Sequence, residues 1–278
     1  MVDRHGLLAA ARAGGATLAI TAATQVAAPS FVAPVAATCV AGVLAFELTR
    51  IGRRLLRSLA FLDADVSQVQ AFVALNDRLV TRRPLPPMRD YAIAPDFGLA
   101  LVQLIADERP QLVVETGSGV STLIIAYLLE KLGRGRLISL EQEPTHAART
   151  RAELERHGLS AFAQVVDAPL APVIIDGVTY RWHSTRALDA LSGIDLVVDD
   201  SPPRTLGANL RYASLPTFAP KLSPRGTFVM NYITSEELDV LARWKRELPE
   251  FRHELHATKK GHAILRRAPG GQVESAQL

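Results

Sequence analysis

Two kinds of hydrophobic pattern divide the chain. From Ala16 to Leu48, Ala, Val, Leu and Ile run almost without relief, and no charge appears before Glu47. Pro29-Ser30 and Pro34 interrupt that run as turn signals. Residues 13–28 and 31–49 therefore read as two short membrane-inserted helices joined at Pro29-Ser30, with a single tilted span as the alternative. Arg4 and Arg12 precede the run, and Arg50, Arg53, Arg54 and Arg57 follow it. Positive charge on both flanks suits a hairpin with both ends in the cytoplasm. Gly15, Ala19, Ala23 and Ala27 share one helical face, as do Ala33, Ala37, Ala41 and Ala45, and small residues so spaced let helices approach closely in lipid.

A different rhythm begins at Leu55. Leu55, Leu59, Leu62, Val66, Val69, Val73, Asn76 and Val80 recur at alternating spacings of four and three, with Asn76 as the one polar member. That heptad spacing predicts an amphipathic helix that packs on the domain after it, or pairs with a second chain as a homodimer through residues 55–80. Arg82-Arg83-Pro84-Leu85-Pro86-Pro87 ends it as a connector. The expected organisation is a membrane-associated helical segment over residues 1–54, a connecting helix over 55–83, a catalytic domain over 84–267 and a flexible tail over 268–278.

From Pro95 onward short apolar runs alternate with helical periodicity, the pattern of a parallel sheet covered on both faces. Strands are expected at Leu112–Glu115, Arg136–Leu140, Phe162–Val166, Asp195–Val198 and Gly226–Met230. Phe251–Ala257 and His262–Arg266 form an antiparallel edge turning at Lys259-Lys260-Gly261. Helices are expected over 97–108, 120–131, 145–157, 206–218 and 235–247. Asp176-Gly177, between Val173 and Tyr180, marks a hairpin turn. The fold class is α/β: Rossmann-like, doubly wound, with a mostly parallel seven-stranded sheet.

Composition narrows the chemistry. Net charge is +3 over 278 residues, with acids interspersed among the arginines and no basic block, so nucleic acid is not an expected partner. The single cysteine, Cys39, excludes an intrachain disulfide framework and a cysteine-based zinc site, and its apolar surroundings predict a buried thiol.

In sheets of this kind ligands sit beyond the carboxyl ends of the strands. Those ends are acidic here: Glu115, Glu141, Asp167 and Asp199-Asp200 close four successive strands. Acids converging on one rim repel unless a ligand or cation separates them. Between Glu115 and the helix that opens at Ser121 lies Thr116-Gly117-Ser118-Gly119-Val120. This is a glycine turn before a helix N-terminus, a place where backbone approaches a nucleotide-type cofactor. Glu141 falls where either a dinucleotide or S-adenosylmethionine would present a ribose. Ser121-Thr122 replaces the third glycine of a dinucleotide fingerprint. Glu115 would meet a pyrophosphate unfavourably but suits a ligand carrying an ammonium and a sulfonium.

The motifs carry a resemblance. Glu115–Thr122 resembles motif I of class I S-adenosylmethionine-dependent methyltransferases, and Ile138–Glu143 with Ala147–Leu154 is similar to motif II. Val165–Leu170 and Ile194–Pro203 continue the ordered set. Ile93–Phe97, Arg211–Pro216 and Lys260–Leu265 are similar to the branch called methyltransferase family 24. The likeness spans roughly residues 84–267. It implies that Glu115, Gly117, Ser118, Gly119 and Ser121 line the cofactor, that Glu141 holds its ribose hydroxyls, and that Asp167 reaches the adenine amino group. Asp199 and Asp200 would lie beside the reactive methyl.

Methyl transfer is an in-line displacement, so the protein must align an acceptor and remove its proton. Asp199, Asp200 and His183 are the candidate bases. Asp199 or Asp200 could alternatively help hold a divalent cation. Catechol-type relatives use an Asp-Asn pair after the fifth strand, and the branch implied by the resemblance commonly has paired acids there. Here that strand ends Met230-Asn231-Tyr232, which removes a carboxylate and counts against a metal. Arg204 and Arg211 are candidates for an anionic acceptor or for surface pairing, and Trp182 and Tyr212 for core or substrate wall. The resulting expectation is a methyltransferase at the cytoplasmic membrane face, acting on an oxygen of a small, glycan or lipid-linked acceptor. A nicotinamide-dependent oxidoreductase and a non-catalytic membrane scaffold are the alternatives.

Overall fold

A computed structural model describes residues 29–268. The expected first hairpin arm at 13–28, its Gly15–Ala27 stripe and the tail after Ala268 lie outside the described residues. Contacts divide the chain into two units, between Asp63 and Ala64.

Helix α1 runs without a break from Pro29 to Arg78. This corrects two expectations: residues 31–49 and the heptad segment are one element, and no described helix is long and apolar enough to cross a membrane. Alanine is only weakly hydrophobic. Cys39 is exposed rather than buried, because almost every described side chain from Ala37 to Thr49 faces solvent. The heptad stripe is also exposed, and within the unit that begins at Ala64 its members Val66, Val69 and Val73 stay out of the core. Leu75 and Leu79 pack there instead and are fully buried. Leu75 lies about 200° around the helix axis from the stripe residue Val73, and Leu79 follows the helix's end at Arg78.

The domain is a seven-stranded sheet in the order β3-β2-β1-β6-β7-β9-β8. Its strands are β1 (Leu112–Thr116), β2 (Arg136–Glu141), β3 (Ala163–Asp167), β6 (Ile194–Asp199), β7 (Leu222–Asn231), β8 (Phe251–His256) and β9 (His262–Arg267). The first five are parallel, and β9 pairs antiparallel with both β7 and β8. Strands β4 (Leu170–Ile175) and β5 (Val178–His183) form a separate hairpin. Its turn residues Asp176 and Gly177 both adopt positive φ, as a two-residue hairpin turn requires.

Period-two alternation sorts the strand residues between two cores. Val113, Leu137, Leu196, Val198 and Val229 face Leu75, α2 (Pro95–Glu108) and α3 (Val120–Leu132). Val114, Leu140, Val197, Phe228 and Met230 face Trp182, Phe218 and Trp244, the last from α6 (Ser235–Glu247). Trp182 and Tyr212 are thus core residues. Helix α4 (Pro144–Arg156) follows β2.

The expected helix over 206–218 is broken. A 3₁₀ turn at Arg204–Leu206 and another at Leu210–Ala213 precede a five-residue α5 (Ser214–Phe218). Gly207 and Asn209, at φ 152° and 53°, interrupt the path. The detour carries Arg211 inward to the strand ends, where it is buried.

Candidate active site

The strands run one residue further than their apolar runs suggest, so the acids sit on the last ladder positions. Glu141 pairs in register with Asp167, and Thr116 with Asp199. Above them opens a cavity of about 540 Å³, within the range of small-molecule sites. Gly117, Ser118, Gly119, Ser121, Glu141 and Asp200 line it together.

The glycine turn has a steric basis. Gly117 lies at φ 83°, and a Cβ there would come within 2.9 Å of the Ser201 Cβ, so the loops after β1 and β6 touch only because it is glycine. At Gly119 a Cβ would meet nothing within 4 Å. That open space belongs to the cavity, where a ligand can lie against the backbone.

Glu115 is fully buried beneath this turn and, against expectation, is absent from the cavity wall. Its Oε2 accepts hydrogen bonds from Thr122 Oγ1 at 2.7 Å and Ser139 Oγ at 2.8 Å. Thr122 Oγ1 in turn accepts from the Gly119 N–H at 2.9 Å, which ties the carboxylate to the turn. The other oxygen, Oε1, has no partner. Burial pushes this carboxyl up to about 7, against the pull of the Ser121, Thr122 and Ser139 hydroxyls. Glu141 is held in place: Oε2 accepts from the Ser118 N–H at 2.7 Å and Ser118 Oγ at 2.9 Å, and Oε1 from the Glu143 N–H at 3.0 Å.

The two acids after β6 have different surroundings. Asp199 is fully buried and saturated. It accepts from Thr116 Oγ1 at 3.0 Å, Ser214 Oγ at 2.6 Å, and Arg211 Nε and Nη2 at 3.1 and 2.9 Å. Arg211 also donates to the Asn231 carbonyl at 2.7 Å, so it clamps β6 to β7 and is neither a surface residue nor an acceptor anchor. Asp200 faces the cavity and accepts from Asn231 Nδ2 at 2.9 Å. Burial pushes the Asp200 carboxyl up to about 6, opposed by the charge of Arg211, the Asn231 bond and the charge of Lys260.

The remaining candidates lie elsewhere. Asp167 is largely exposed, pairs with Arg151 at 2.9 Å and is absent from the cavity wall. His183 is fully buried and off that wall, with Nδ1 3.2 Å from the Ala168 carbonyl oxygen. Burial holds its imidazole near 4, which keeps it neutral. Arg204 lies in the first 3₁₀ turn after β6 and is exposed. Among the described residues no group of three or more metal-ligating side chains converges.

One wall of the cavity escaped the sequence reading. Pro86, Pro87 and Arg89–Ile93 of the connector cover the turn, and His146, Arg149, Thr150 and Glu153 of α4 stand opposite. Lys260, at the β8–β9 turn, donates to the carbonyls of Asp90 and Ala92 at 2.7 and 2.8 Å and so fastens the connector. Its ammonium lies 5.2 Å from the centre of the Tyr232 ring. The proline-rich run signalled a connector, and only the Ile93–Phe97 motif hinted that it reached the site.

Residues 114–232 match a family model described as a methyltransferase domain. No curated protein matches the chain by sequence. Among solved structures, the chain resembles an SAH-bound methyltransferase from Podospora anserina at 16% identity and TM-score 0.50, covering 72% of this chain and 87% of that one. A cofactor-bound protein from MTB aligns at 22% identity and TM-score 0.50, over 75% and 94% of the two chains. The O-methyltransferase TomG from Streptomyces achromogenes, in complex with SAM, aligns at 15% identity and TM-score 0.50, over 72% and 96%. At these identities the likeness is one of fold.

Proposed function

Because residues 114–232 carry a class I S-adenosylmethionine-dependent methyltransferase domain, we propose that the cavity is its cofactor and acceptor site and that the acceptor atom is an oxygen of a small molecule. The observation that carries this reading is the shared cavity wall of Gly117, Ser118, Gly119, Ser121, Glu141 and Asp200, with Glu115 buried directly beneath it. A buried carboxylate with one oxygen unpartnered, beneath a glycine turn, is costly unless a cation meets it. The ammonium of an amino-acid moiety supplies that cation. Glu141 stands at the lip with lone pairs free beside those used by Ser118 and Glu143, suited to two vicinal hydroxyls. Ser118 and Ser121 complete the cradle. Asp167, tied to Arg151 off the cavity wall, would reach an adenine only after leaving that pair.

When bound, S-adenosylmethionine supplies an electrophilic methyl group. The work left to the chain is to hold the acceptor in line and to take its proton. Asp200 is the base in this reading. It faces the cavity with its carboxyl near 6, so it is ionised at neutral pH yet basic enough to accept a proton. Asn231 fixes its orientation. Asp199 is a positioning residue, since its oxygens are occupied by Arg211, Thr116 and Ser214. His183, neutral and buried against the Ala168 carbonyl, supports the wall from behind.

The finer reading places this chemistry at the cytoplasmic membrane face, with a glycan or lipid-linked acceptor. Its support is the uncharged run from Ala16 to Phe46 and the arginines that flank it. Calorimetry on the full-length protein, with S-adenosylhomocysteine and NADH titrated in turn, tests the cofactor. Binding of S-adenosylhomocysteine alone is expected; binding of NADH alone would overturn the reading, and binding of neither would favour a scaffold. For the location, full-length protein is expected to pellet with membranes through a high-salt wash, and recovery in the supernatant would refute it. Labelled methyl transfer to a membrane extract, followed by base-labile and acid-labile product analysis, separates ester from ether oxygen.

A further inference from the structure

We propose that the outer stripe of α1 is the seam of a two-stranded coiled coil formed with a second copy of this chain. A helix lying on a domain normally turns polar residues to water. Here Leu48, Ile51, Leu55, Leu59, Leu62, Val66, Val69 and Val73 all face solvent, each more than half exposed. Within the unit that begins at Ala64, Leu75 packs on the core from the side of the helix opposite Val66, Val69 and Val73.

The stripe's spacing favours a second copy. From Leu55 onward it keeps strict four-three spacing, the period of an a/d seam, with Leu56 and Phe72 at its edges. Ser58, Asp65, Gln70 and Asp77 stand beside the seam, and Arg53, Arg54 and Arg57 on the rest of the helix surface. With Leu59, Val66 and Val73 at one set of seam positions and Leu55, Leu62 and Val69 at the other, Val66 and Val73 fall where two-stranded coils favour β-branched residues and Leu55 and Leu62 where they favour leucine, with Val69 the exception. Asn76 continues the seam as its one polar member and donates to the Phe72 carbonyl at 2.9 Å.

The buried area is adequate. Eight seam side chains with Leu56 and Phe72 beside them, at roughly half to two-thirds exposure, remove on the order of 500 Å² of apolar surface per helix. Flanking stems bring that towards the ~800 Å² per partner of a standard interface.

Sedimentation equilibrium of the full-length protein in detergent-free buffer tests the proposal. The expected mass is twice the 30.1 kDa of the chain. The double substitution Val66→Asp, Val73→Asp should give the single-chain mass, with S-adenosylhomocysteine affinity within twofold of the parent. Val66→Ile, Val73→Ile should keep the double mass. Because both valines are exposed, an unchanged melting temperature after ligand addition shows that the domain still folds. A single-chain mass for the parent, or a double mass for the aspartate variant, would overturn the proposal. So would a single chain that floats with anionic vesicles and is released by the aspartates.

Discussion

Glu115 shows how one residue links stability to ligand. Its burial raises the carboxyl from 4.5 to about 7, so between those values the native state holds a proton that the unfolded chain has released. Stability therefore falls as pH rises from about 4.5 to 7 and is level above. Glu115→Gln removes the penalty: at pH 8 the unliganded variant should melt higher than the parent. It also removes the anion that meets the ligand's ammonium, so S-adenosylhomocysteine should bind about 10–100-fold more weakly. A lower melting temperature with unchanged affinity would show that Glu115 serves packing alone. Asp200 carries the complementary prediction. With its carboxyl near 6, methyl transfer should rise with pH through about 6 and then level. Asp200→Asn should abolish that limb and lower kcat by about 10²–10⁴ while leaving S-adenosylhomocysteine binding within a few-fold. A variant that keeps the parent's pH profile would exclude Asp200 as the base. The sequence could not separate Asp199 from Asp200, because adjacent identical acids at a strand end differ only in what comes to meet them. Arg211, twelve residues on in the chain, decides it by taking Asp199.

At the scale of elements, that same arginine explains why the expected helix over 206–218 does not form. A regular helix would hold Arg211 at the surface; the two 3₁₀ turns instead bring its guanidinium between Asp199 and the Asn231 carbonyl. Removing the cation would leave Asp199 buried and unpaired. Arg211→Met should therefore cost about 3–5 kcal/mol of stability, read by denaturant unfolding, and a loss under 1 kcal/mol would mean the clamp is dispensable. The strands were legible because short apolar runs between turn signals carry their own periodicity, and the acids at their ends marked the rim. The connector was not. Pro86, Pro87 and Arg89–Ile93 have no periodicity to read, and their place over the site is fixed by Lys260, about 170 residues further along the chain, through two carbonyl bonds. Such a contact depends on where β9 returns in the sheet, which no local pattern encodes.

At the scale of the whole molecule, the heptad stripe was legible and its partner was not. Spacing alone identifies an apolar face on α1, but a helix can carry two faces, and the core takes the one that presents Leu75. The stripe members Val66, Val69 and Val73 stay out of that core, and no described helix is long and apolar enough to cross a membrane. Domain stability and self-association should therefore separate experimentally. The unit from Ala64 onward keeps Gln68, whose Nε2 donates to Asp96 Oδ2 at 2.9 Å, and keeps Leu75 and Leu79 in the core. It also keeps both core layers and every residue around the cavity. A chain beginning at Ala64 should thus bind S-adenosylhomocysteine within about twofold of full length and melt within a few degrees of it once liganded, since none of the described side chains before Ala64 is buried. It would retain only Val66, Val69, Val73 and Asn76 of the seam, about two heptads, too few to hold two helices together in water. A single-chain mass with full ligand affinity is the expected result. Loss of ligand binding in the shortened chain would mean that α1 before Ala64 supports the site, against the separation of faces argued from Leu75 and Val73.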